Sequence, residues 1–132
     1  MALESKKAST VAAASLLWVP DRGEVIWINF SPQMGAEMKD EHPMVVLSSK
    51  AFNERTKIVI GLPMTHAKSN ETNPFAEKFV GLRDEACYVL CHLPKSFDWR
   101  ERNARPHPMK RLRPAVFEAA CEALNQIVMI AN

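Results

Sequence analysis

Four short stretches of this chain carry side chains that can do chemistry. In DEHPMVVLSS, residues 40–49, His42 stands immediately before Pro43 and an apolar run. In GLPMTHAKSN, Thr65 and His66 follow a proline and a methionine at the end of a second apolar run. ACYVLCH holds Cys87, Cys91 and His92, and PKSFDWRERNA sets Trp99 beside Arg100. Histidine exchanges protons near neutral pH because its unperturbed pKa lies there. Arginine stays protonated and suits a fixed anion clamp better than a base. Pro43 biases the residue before it to an extended backbone, so His42 reads as a reactive group held at the mouth of a strand. Its plain alternative is the end of a loop.

The cysteines raise a metal site and then exclude it at their own spacing. ACYVLCH has strand character, and Cys87 and Cys91 four residues apart along a strand are roughly 13 Å apart. Two ligands of one zinc ion lie far closer than that. The expectation is therefore no metal and no cofactor, with Cys87, Cys91 and Cys121 as free, packed thiols. An odd number of cysteines and no secretory signature favour a reducing, cytoplasmic compartment. KKASTVAAASLLWVP has two lysines before an apolar run, but it is interrupted by serines and a threonine and is too short to span a bilayer. It reads as an N-terminal extension, residues 1–19, ahead of one domain, residues 20–132.

Those 132 residues bound a single core. With 47% hydrophobic and 24% charged residues, usage is that of a globular domain. A net charge of +2 says little about partners. From Lys95 to Arg113, however, seven basic residues face only Asp98 and Glu101, a patch suited to a polyanion.

The elements that must position these residues are mostly strands. EVIWINF is β-branched and aromatic, and a twelve-residue connection, SPQMGAEMKDEH, carries Glu37 to His42. MVVLSS, KIVIGLPM, PFAEKFV and ACYVLCH complete five strand-like runs, separated by the polar links KAFNERT and THAKSNETN. Such spacing indicates a small antiparallel barrel or sandwich. From Pro114 the period changes: Val116, Phe117, Ala120, Cys121, Leu124, Ile127 and Val128 recur at helical spacing, predicting a C-terminal amphipathic helix against the sheet.

Taken in order, RGEVIWINFSPQMGAE, HPMVVLS, GLPMTHAKSNETNPF and PKSFDWRERNA resemble the motifs of the MazF/PemK family of ribonuclease toxins. The likeness runs from about Pro20 to the final helix. It implies a CcdB/MazF-like fold: mainly β with α, a small SH3-like antiparallel barrel closed by the C-terminal helix. It also implies a homodimer that cleaves single-stranded RNA at short sequences without metal and is inhibited by a cognate antitoxin with an acidic, partly disordered tail. No membrane association is implied.

Residue by residue, Thr65 matches the family's catalytic threonine and Glu37 the glutamate of its first loop. His42 stands where the family usually has a catalytic arginine, and His92 where some members have an acidic residue. The resemblance thus makes His42, Thr65 and His92 the catalytic candidates, and Glu37, His66, Trp99 and Arg100 the RNA contacts. In this reading His66 ranks lower, because in an extended chain it points away from Thr65. Two other readings stand beside the nuclease: a protein-binding toxin of the CcdB kind, and a catalytically impaired homologue that binds RNA or antitoxin only.

Overall fold

The computed structural model of the chain describes residues 18–31 and 41–130. Its elements are β1 (Glu24–Asn29), β2 (Glu41–Val46), α1 (Lys50–Thr56), β3 (Ile58–Thr65), a 3-10 turn (Lys68–Thr72), β4 (Ala76–Val80), β5 (Ala86–Leu90), β6 (Lys95–Asp98), β7 (Arg105–Arg111) and α2 (Pro114–Val128). The strands follow the order β4-β5-β3-β2-β1-β7, with every pairing antiparallel. Strand β6 joins the same edge of β3 as β5, but at the other end, Ile58–Gly61. β3 is therefore the common member of two sheets, and the whole is a half-barrel of antiparallel strands.

Period-two alternation explains how so small a sheet buries both faces. In β1, Val25 enters one core cluster while Ile26 and Ile28 enter another; in β2, Val45 joins the first while Met44 and Val46 join the second. The first cluster is covered by Val116, Phe117, Ala120 and Leu124 of α2. The second is covered by Trp18, Phe97 and Trp99, and it also takes in Val19. Trp18 and Val19, the described end of the expected extension, thus pack on the half-barrel.

Helix α2 starts with Pro114 at its first turn and ends where Met129 turns left-handed, its N–H bonding the Asn125 carbonyl. Its apolar stripe packs as predicted over the first turns, whereas Ile127 and Val128 in the last turn are exposed.

Three elements depart from the sequence reading. KAFNERT, expected as a polar link, is α1: the Ser49 hydroxyl caps it by accepting the Phe52 N–H at 3.2 Å, and Lys57 closes it in a left-handed conformation. Strands β6 and β7 were not predicted at all. β7 contains Pro106 and Pro108 and lies at the end of the strand order, where a missing N–H costs no ladder bond.

Asn53 on α1 is fully buried and ties three elements together. Its amide donates to the Pro20 carbonyl at 2.7 Å and to the Ser48 carbonyl at 3.2 Å. Its Oδ1 accepts the Ser48 hydroxyl at 2.5 Å, and its carbonyl accepts the Trp99 indole N–H at 2.8 Å. Gly61, paired with Val46 of β2, leaves no room for a side chain: a Cβ there would stand 2.4 Å from the Val45 carbonyl oxygen.

Candidate active site

The end of β3 opens on a cavity of about 250 Å³, walled by Trp27, Pro43, Thr65, His66, Cys87 and His107, with Glu85 and Arg83 at its side. β1, β2 and β7 bring Trp27, Pro43 and His107 to it through the pairings Trp27↔Pro43 and Ile26↔Pro106. Thr65 is held by its pairing with Tyr88 on β5. Its Oγ1 accepts the Ala67 N–H at 3.1 Å, which leaves the hydroxyl proton available for donation. This turn ends the strand, so His66 and Thr65 both line the cavity instead of pointing apart. The lower rank of His66 assumed an extended chain at this point, whereas β3 ends at Thr65 and His66 lies beyond it.

The 3-10 turn that follows is pinned to the sheet. Glu71 accepts the Lys78 ammonium at 2.6 Å and the Tyr88 hydroxyl at 2.5 Å. These two bonds hold its carboxyl below the usual range, Lys78 contributing most. Because Tyr88 is also the register partner of Thr65, one tyrosine fixes the strand end and the turn beyond it.

His107 was not singled out in the sequence, although its Pro-His-Pro setting is a signal of a side chain on a stiffened backbone. Its ring lies 4.6 Å from that of Trp27. Nδ1 accepts the Met109 N–H at 3.0 Å, so the neutral ring carries its proton on Nε2. Burial, with the nearby His66 as a smaller cause, pushes its pKa below the ordinary histidine value of 6.5. At neutral pH it is an uncharged donor.

A histidine with a lowered folded pKa takes up a proton more readily when unfolded, so stability is complete above pH 6.5 and falls as pH drops below it. Wild-type unfolding free energy is expected to decline more steeply between pH 6.5 and 5 than that of His107→Gln. Parallel curves would eliminate burial of this ring as a source of acid sensitivity.

The other predicted site residues are dispersed. His42 is exposed at the start of β2, opposite Ile28, with its ring edge-on to Phe30 at 5.4 Å. The β2–β3 register ends at Met44↔Pro63, two residues short of His42, and His42 is not among the residues that wall the cavity. Arg100 is exposed. Glu37 lies outside the described residues.

His92 is not brought to Thr65. It lies beyond the end of β5, four residues after Tyr88, the register partner of Thr65. It is half-buried, with its ring beside Phe75 and its Nδ1 buried without a partner. Trp99 is a core residue and no platform for a base: it is 8% exposed, edge-on to Trp18, and spends its N–H on Asn53.

The basic segment divides in the same way. Arg102 donates to the Asn29 and Ser31 carbonyls at 3.2 and 3.3 Å, Arg105 pairs with Glu41, and Arg111 pairs with Asp21 at 3.1 Å. Lys95, Arg100, Lys110 and Arg113 are exposed.

The half-barrel has close counterparts. A family described as PemK-like, MazF-like toxin of type II toxin-antitoxin system matches residues 21–128. This chain belongs to that family. The endoribonuclease toxin MazF of Escherichia coli (strain K12) is 33% identical over 87 residues, covering 66% of this chain and 76% of that protein. The crystal structure of MazF (Form-I) from Deinococcus radiodurans superposes with a TM-score of 0.72 at 28% identity, over 86% of this chain and 99% of that one. A MazE–MazF structure (Form-II) from the same organism gives a TM-score of 0.73 with the same identity and coverage.

Proposed function

We propose that this toxin is a sequence-specific endoribonuclease that cuts single-stranded RNA without metal, leaving a 2′,3′-cyclic phosphate and a 5′-hydroxyl. The observation that carries this reading is the match to a family with endoribonucleases among its relatives, together with the cavity that Thr65 lines at the end of β3. Metal-free cleavage needs a base for the 2′-hydroxyl, an acid for the departing 5′-oxygen, and donors for the charge that builds on the phosphate. Thr65 supplies a hydroxyl donor. His42 supplies a donor when protonated and a base when not. His66 and the neutral Nε2–H of His107 offer contacts to a base at the cavity, and Arg100 with its exposed cationic neighbours attracts the phosphate backbone.

His92 retains only a packing role within one chain, which leaves the leaving-group acid unassigned among its neighbours. The working unit is a homodimer, so a groove across two copies presents the site twice. Its inhibitor is a cognate antitoxin with an acidic tail, whose encounter with the Lys95–Arg113 face weakens with salt. The protein acts in the cytoplasm; among the described residues no helix is long and apolar enough to cross a membrane.

The test is incubation of the purified protein, sized by sedimentation, with a long single-stranded RNA in excess EDTA. Discrete fragments ending in cyclic phosphate are expected at recurring short sequences. Intact RNA, with or without added divalent metal, would reassign the protein as a binding-only member of its family.

A further inference from the structure

The cavity wall also holds a side-chain cluster that takes no part in the proton transfers proposed for RNA cleavage. His66 Nδ1 lies 3.5 Å from Glu85 Oε2 and 3.6 Å from Cys87 Sγ, and one ligand atom from each of the three falls within 4.8 Å of the others. We propose that His66, Glu85 and Cys87 form a binding site for a transition-metal ion of the zinc class.

The distances suit such an ion. Zinc bonds of ~2.0–2.3 Å in tetrahedral geometry separate neighbouring ligand atoms by roughly 1.63 bond lengths, or about 3.3–3.8 Å. Both measured contacts fall in that interval. The donor set is one thiolate, one imidazole and one carboxylate, which is zinc chemistry rather than that of magnesium or calcium.

Two further observations point the same way. Glu85 Oε1 is buried without a hydrogen-bond partner, so this carboxylate is held without its full set of bonds. Gly81 keeps the space beside the sulfur clear: a Cβ there would lie 2.5 Å from Cys87 Sγ. Binding displaces the Cys87 thiol proton to solvent as the metal–sulfur bond forms, so affinity rises with pH. Three protein donors leave the fourth position to water. The ion would join the turn after Thr65 to the β4–β5 turn and to β5, fixing the chain one residue from the proposed phosphate donor. This position is structural, so chelation leaves the metal-free cleavage described above intact, and the two readings fail independently.

The experiment uses the full chain, stripped with chelator and titrated with Zn²⁺ by calorimetry and with Co²⁺ by absorbance. One equivalent should bind, with proton release, a rise in Tm, and a sulfur-to-cobalt charge-transfer band. Cys87→Ser should abolish that band, and His66→Ala, at a side chain 61% exposed and so safe for folding, should weaken Zn²⁺ binding at least tenfold. Cys91→Ser and Cys121→Ser should change neither. Absence of binding to the wild type at micromolar zinc, or binding undiminished in His66→Ala, would overturn the site.

Discussion

His42→Ala is expected to lower kcat/KM for RNA cleavage by ~10²–10⁴-fold, the usual loss on removing a proton-transfer group, while folding and dimerisation persist. The side chain is exposed and its closest ring contact is the edge of Phe30, so little packing goes with it. The informative partner is His42→Arg, which restores the residue usual in the family. Arginine keeps the phosphate clamp and removes the titrating base. That variant should recover part of the activity and lose the decline of wild-type kcat/KM toward acid pH, where protonation disables a histidine base. Full recovery with an unchanged pH profile would strip His42 of proton transfer and leave it a clamp. Full activity in His42→Ala would remove it from the site.

Asn53→Ala should produce the largest loss of stability of any single truncation outside the apolar core, about 3 kcal/mol. Three side-chain hydrogen bonds disappear, each worth ~1 kcal/mol, and the buried Pro20 carbonyl loses its donor. For a domain of this size that corresponds to a Tm lower by about 10 °C. Chemical denaturation of the two proteins in parallel measures it. A loss under about 1 kcal/mol would mean that water replaces the amide at no cost, and that Asn53 is not the tie between the N-terminal segment and α1.

The sequence was most legible where pattern and period are strong. EVIWIN, MVV and IVIGLPM alternate or run apolar and became β1, β2 and β3, and the stripe from Val116 to Leu124 became the covering face of α2. Lys95–Asp98 and Arg105–Arg111 escaped because their strand identity is tertiary. KSFD is held by pairing with Ile58–Gly61, and RPHPMKR is an edge rich in proline and cations. α1 escaped because seven residues with few apolar positions look like a link until Ser49 caps them and Asn53 buries its amide.

Thr65 and His42 stand out in the sequence through the motifs they resemble. Their companions do not: His107 and Glu85 reach the cavity through strand pairing between segments far apart in the chain. The cysteine reading shows both outcomes. Cys87 and Cys91 are indeed packed thiols, buried in one cluster, but sequence spacing could not place Cys87 beside His66, 21 positions away.

Arg102 and Arg105 carry one more consequence. Arg102 grips the Asn29 and Ser31 carbonyls where the β1–β2 connection leaves, and Arg105 grips Glu41 where it returns. Both feet of that connection are thus anchored to the scaffold by guanidinium groups from elsewhere in the chain. The ends of β1 and β2 are locked by groups 64 to 73 positions later in the chain, so the closing segment of the domain secures its opening hairpin.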